Sequence, residues 1–180
     1  MRLRRARDPL HTRHIMTRFT LALLLITGLA VAAAQAKPLK VPNDEFPIAS
    51  ISLPDDWDQE EINNGVAGTS ADGDVYLAVV AVGNEKGMDA EIDDTFEMLK
   101  EHNVTLDEKS KKEQKFKING MEAEEMIFQG KDEDGPASIS ITFVTLKDKV
   151  LVLTYWVSSD KEKEHQAEVG KIVNSLKPTA

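Results

Sequence analysis

No cysteine occurs in the 180 residues. That absence excludes disulfides, thiolate nucleophiles, cysteine-based zinc sites and a lipid-modified cysteine behind an export signal. Arginine is missing from most of the chain. Six Arg and one Asp precede position 37, so 16 of the 22 basic residues and 30 of the 31 acidic ones follow it, a net charge of −14 in which every cation is Lys. Without the planar guanidinium fork, and with so large an acidic excess, nucleic acid and anionic membrane surfaces are not the expected partners. Histidine is scarce as well: beyond position 36 there are His102 and His165. No G-x-S-x-G turn is present, and Gly65-Val-Ala-Gly68 lacks the Lys-Ser/Thr ending of a phosphate loop.

Phe19 to Ala36 is an uncharged stretch of 18 residues behind Arg13 and Arg18, with a short apolar centre at Leu21 to Ile26. Ala34-Gln35-Ala36 gives the small-x-small pattern that signal peptidase requires, so Ala34 and Ala36 mark the expected cleavage site. An uncleaved anchor is the alternative reading; both orient the remainder outward, to the periplasmic side. The basic prelude from Arg2 to Arg13 is long for a signal and becomes compact if translation starts at Met16. Residues 1–36 are therefore read as a basic segment and signal peptide, 37–45 as a flexible lead-in, and 46–178 as one globular domain. No stable membrane insertion is expected once the leader is removed.

Within that domain Phe46 to Leu53 reads as a first strand ending at Pro54, and Asn63 to Ser70 as a second. Ala71-Asp72-Gly73 turns into the strongly apolar Asp74 to Val82. Gly83 and Gly87 bracket a loop. Ile92, Phe96 and Leu99 then recur at helical spacing from Asp89 to about Asn103, with Asp89, Glu91, Asp93 and Asp94 at the positive end of the helix dipole. Lys115 to Glu124 is a hairpin about Asn119-Gly120, a type I′ pair that sets Lys117 opposite Glu122 and Lys115 opposite Glu124. The cluster Lys109, Lys111, Lys112, Lys115 and Lys117 is thus a solvated face with charge partners and an edge protected by lysine. Pro136 to Leu146 and Lys149 to Val157 form a second hairpin turning near Asp148, apolar on both faces and so in need of cover on both. A last helix starts near Ser159, spaced to Glu162 as a capping box, carries Val169, Ile172, Val173 and Leu176 inward, and stops at Pro178. The sum is an α+β chain: a single, mostly antiparallel sheet of about six to seven strands covered by two helices.

Four segments carry a resemblance: Ile51-Ser-Leu-Pro-Asp-Asp-Trp57, Asp72-Gly73-Asp74 before an apolar strand, the Asn119-Gly120 hairpin, and Ile172-Val-Asn-Ser-Leu-Lys-Pro178. With this order of elements the chain resembles the PsbP-like superfamily, which includes photosystem lumenal proteins, Ran-binding factors of the Mog type and bacterial periplasmic DcrB-type proteins. The resemblance spans roughly residues 46–178. It implies an α/β/α sandwich with a surface facing a partner, and binding or assembly work in place of catalysis; it transfers no functional residue.

No catalytic, cofactor-binding or metal residue is assigned from the sequence. His102 near a helix end and His165 in the first turns of the last helix read as structural or solvated. Asp132-Glu133-Asp134-Gly135 fails as a calcium loop, because Gly130 and Ile141 would fall on its first and twelfth ligand positions. That segment and Asp72-Gly73-Asp74 read as turns with solvated charge. Ser158-Ser159 reads as helix capping, and Trp57 and Trp156 as packing anchors. The function expected is that of an exported periplasmic, non-enzymatic accessory protein acting through contacts with another envelope protein. An acidic module binding divalent cations or a small cationic ligand is the alternative, and a hydrolase without a recognisable motif the third. Intact mass of the exported protein checks the leader: the expected N-terminus is Lys37, and a mass that retains Phe19 to Ala36 refutes cleavage.

Overall fold

The computed structural model describes residues 37–83 and 85–179. The expected cleavage site at Ala34 and Ala36 lies outside the described residues. Among the described residues ten strands and two helices follow in the order β1 (Leu39–Val41), β2 (Ala49–Ile51), β3 (Asp58–Ile62), β4 (Gly65–Thr69), β5 (Val75–Val82), α1 (Glu85–Glu101), β6 (Thr105–Ile118), β7 (Met121–Lys131), β8 (Pro136–Leu146), β9 (Lys149–Ser158), α2 (Glu162–Ser175) and β10 (Lys177–Pro178). Seven of the strands make one antiparallel sheet ordered β3-β4-β5-β9-β8-β7-β6. The other three make a small antiparallel sheet ordered β1-β2-β10.

β5, β9 and β8 occupy the middle of the large sheet, and their sequences explain why. In β5, Val75, Leu77 and Val79 face one cover, while Tyr76 and Ala78 face the other. β9 repeats the division, with Leu151, Leu153 and Val157 against Val152 and Trp156. Period-two alternation sends successive side chains to opposite faces, so strands apolar at every position must be covered twice. α1 lies over one face through Met88, Phe96, Met98 and Leu99. α2 and the small sheet share the other, through Val169, Ile172 and Val173 from the helix, Leu176 just past its end, and Val41, Ala49 and Ile51 from the strands.

The hairpin expected at Asn119-Gly120 forms in the predicted register, with Lys117 opposite Glu122 and Lys115 opposite Glu124. Both turn residues have positive φ, 50° and 85°, as a type I′ turn demands. The lysines pair as expected: Lys117 Nζ lies 2.6 Å from Glu122 Oε1, and Lys115 pairs with Glu124. The same turn has a second role that its spacing did not announce. Asn119 Nδ2 donates to the carbonyls of Asn174 (2.8 Å) and Leu176 (2.7 Å), satisfying acceptors that the end of α2 leaves without helical partners.

Several expectations are corrected. Residues 37–45 are no flexible lead-in: β1 pairs with β2, and Val41 is fully buried. The first expected strand shrinks to Ala49–Ile51 and belongs to the small sheet, so there are two sheets where one was expected. α1 begins at Glu85, because packing of Met88 on the core outweighs the breaking tendency of Gly87. β3 is a strand beyond those expected, its DQEEI sequence lying on a sheet edge with little to bury. Ser159 caps nothing: α2 starts at Glu162 behind Lys161 without a side-chain cap, and Ser159 Oγ is buried without a hydrogen bond. Pro178 does not simply stop the helix, since with Lys177 it pairs with β2 and Thr179 Oγ1 donates to the Pro47 carbonyl at 2.6 Å.

Leu151 is fully buried in the centre of the sheet. Leu151→Ala is expected to lower stability by about 2–5 kcal/mol, read by urea unfolding, whereas Glu61→Ala on the exposed edge changes it by less than about 0.5 kcal/mol. A loss at Leu151 no larger than that at Glu61 contradicts the doubly covered sheet.

Candidate functional site

The turn between β4 and β5 is built by hydrogen bonds from a short polar sequence. Ser70 Oγ donates to Asp72 Oδ1 at 2.6 Å and accepts from the Val75 N–H at 2.9 Å. The Gly73 N–H donates to the Ser70 carbonyl at 2.9 Å, and Gly73 has φ 82°, a left-handed conformation suited to residues without a β-carbon. Asp72 Oδ1 also accepts from the Asp74 N–H at 3.2 Å. One carboxylate oxygen of Asp72 is thereby committed to the turn, and Oδ2 takes no part in it.

β5 pairs with β9 so that Val75 stands opposite Val157, and α2 begins shortly after β9 ends. This register lays the first turns of α2 against the Ser70–Val75 turn. His165 is buried there, its Nε2 3.2 Å from Asp72 Oδ2 and its Nδ1 3.5 Å from Glu168 Oε2. Nε2 nevertheless makes no hydrogen bond. Lys161 Nζ stands 3.8 Å from Asp74 Oδ2 and 3.3 Å from Glu164 Oε2. Asp72, Asp74 and His165 each offer a donor atom, all within 4.8 Å of one another. The Ser70 hydroxyl, working against partial burial and assisted by the Asp74 N–H, holds the Asp72 carboxyl below its ordinary value of 3.8.

In the sequence Asp72-Gly73-Asp74 and His165 stand apart as solvated or structural features; the fold joins them. The link was hidden in the β5–β9 pairing, which no spacing in the sequence states. His102 sits elsewhere. It follows the end of α1, 5.6 Å from Trp156 and 6.2 Å from Tyr76 between ring centroids, beside a Tyr76–Trp156 stack at 4.2 Å. Burial pushes the Tyr76 hydroxyl up to about 12, so it stays protonated. Asp132 is a turn residue as expected, with Oδ1 accepting the Asp134 and Gly135 N–H groups at 3.0 Å each. Trp57 is 5% exposed and belongs to the core.

A second feature lies on the α1 face. The sheet continues past α1 toward β6, leaving a groove of about 900 Å³ with Met88, Ile92, Met126, Phe143 and Val150 among its lining. Lys115, Glu124, Lys147 and Lys149 also line it, mixing both signs of charge with the apolar surface. Among the described residues no helix is long and apolar enough to cross a membrane.

Residues 49–175 match the DcrB family. The chain belongs to the DcrB family. No curated protein matches it. Its fold is similar to that of cyanobacterial PsbP (CyanoP) from Synechocystis, with 10% identity over 83% of this chain and 96% of that one and a TM-score of 0.56. Looser likenesses are to LpqN of Mycobacterium tuberculosis, described as involved in cell envelope biogenesis (13% identity, 80% and 90% coverage, TM-score 0.46), and to the Ran-binding protein Mog1p of Saccharomyces cerevisiae (9% identity, 72% and 89% coverage, TM-score 0.43). This DcrB-family chain thus has the expected PsbP-like sandwich, with a three-stranded sheet added to the α2 layer.

The Asp72 interaction gives a testable pH dependence. A folded carboxyl held below its ordinary value contributes stability at neutral pH and loses it as pH falls below 3.8 toward the depressed folded value. Asp72→Asn is therefore expected to lower the urea midpoint at pH 7, the gap from the parent narrowing as pH drops below 3.8. A gap that stays constant over that range rules this linkage out.

Proposed function

We propose that this DcrB-family protein is a periplasmic accessory protein that works by holding a segment of another envelope protein and not by turnover. The groove beside α1 is the observation that carries this reading. Half-buried Met88, Ile92, Met126, Phe143 and Val150 give it apolar surface, and Lys115, Glu124, Lys147 and Lys149 give it charge of both signs. A desolvated apolar centre with polar groups around it is the usual anatomy of a protein–protein contact, and methionine adapts to varied partner shapes. The neighbouring sheet edge is unsuited to strand addition: β6 carries Lys109, Lys111, Lys112, Lys115 and Lys117 and breaks register between Asp107 and Lys112. Contact is therefore made by side chains in the groove. Export supports the periplasmic placement through the leader pattern at residues 19–36.

A photo-crosslinking residue at Ile92 or Met126, compared with one at Lys163 on exposed α2, tests the reading in cells that express the full chain. Discrete adducts from the two groove positions and none from Lys163 are expected. Equal adducts from all three positions, or none from any, overturn it.

A further inference from the structure

The turn–helix junction carries more than a pair of charges. We infer that Asp72, Asp74 and His165 form an open, three-ligand site for a divalent transition-metal ion of zinc character. This goes beyond the partner reading and is independent of it, because the groove and the junction share no lining residue.

The case rests first on the imidazole. His165 is 7% exposed, and its Nε2 is buried without a hydrogen bond although a carboxylate oxygen lies 3.2 Å away. A buried ring nitrogen without a donor or acceptor partner is costly, and a bound cation resolves that cost. The other ring nitrogen is placed as a metal-binding histidine requires. Glu168 Oε2 lies 3.5 Å from Nδ1, and with the ring proton held on that side Nε2 is left as the acceptor nitrogen beside Asp72 and Asp74.

The oxygen ligands are equally prepared. Asp72 Oδ1 is occupied by the Ser70 hydroxyl and the Asp74 N–H, which fixes the carboxylate plane and leaves Oδ2 to coordinate. Bonds of about 2.0–2.1 Å in a tetrahedral zinc centre hold the ligand atoms roughly 3.3 Å apart. The Nε2–Oδ2 separation of 3.2 Å already matches that edge. Asp74 is half-buried, and its donor atom lies within 4.8 Å of the other two. A side-chain rotation brings it in and gives up only the loose 3.8 Å approach of Lys161, which keeps Glu164 as a partner.

The donor set selects the ion. One imidazole with two carboxylates suits zinc and its first-row neighbours, whereas calcium and magnesium are held by oxygen alone. Three protein ligands leave a coordination position for water or a group from outside the chain.

The test is calorimetric titration of zinc chloride, and separately calcium chloride, into the metal-stripped full chain at pH 7. Zinc is expected to bind saturably at one ion per chain and at least tenfold more tightly than calcium. Asp74→Asn, whose fold is checked by circular dichroism, is expected to weaken zinc at least tenfold, and His165→Asn at least as much. Glu168→Gln, which touches only the outer side of the ring, weakens it about tenfold. In the parent, zinc should also shift the His165 ring nitrogen resonances. Absence of saturable zinc binding overturns the inference. So does zinc affinity that persists within twofold in folded Asp74→Asn, or calcium binding as tight as zinc.

Discussion

The central strands of the large sheet have no face they can leave wet. β5 and β9 bury side chains in both directions, with Val75, Val79, Leu151 and Val157 fully buried on one side and Val82 and Val152 nearly so on the other. Each aliphatic side chain so buried contributes about 1.5–3 kcal/mol, and that gain is realised only if two separate layers arrive. This requirement accounts for the order of the fold. α1 is delivered to one face directly after β5, and α2 to the other directly after β9. The small sheet completes the α2 layer, where Val41, Ala49 and Ile51 join the same core.

Cover is unequal, and the inequality creates the surfaces that matter. α1 packs on the β5–β9 part of the sheet, so the same face runs on under β8 and β7 as a groove with Met126 and Phe143 half-buried. On the opposite face, closing the sheet with α2 brings the helix's first turns onto the turn that opens β5. His165 is thereby buried beside Asp72. The core demands that α2 dock by Val169, Ile172 and Leu176, and the polar junction follows from that docking.

Local chemistry was legible wherever a short stretch decides its own shape. Asn119-Gly120 set a register that holds pair by pair, and Val169, Ile172, Val173 and Leu176 mark the buried stripe of α2. It was illegible where shape depends on partners remote in the chain. β3 is polar because it lies at an edge, β1 is too short to alternate, and Ser159 fits a capping spacing that the chain does not use. The Asp72–Asp74–His165 junction belongs to the second kind, since either half alone reads as an ordinary turn or an ordinary helix.

The amino-acid order by itself determined the acidic, cysteine-free, arginine-poor composition beyond residue 36, the strands that need two covers, the tight hairpin and the stripe of the last helix, because these rest on residue chemistry and on periods of two and 3.6. Tertiary structure alone decided that the lead-in becomes a strand, that the sheet overhangs α1, and that a buried imidazole meets two carboxylates. The reason is physical: strand pairing and helix docking are set by apolar area summed over distant segments, and polar groups end up together where that packing leaves them.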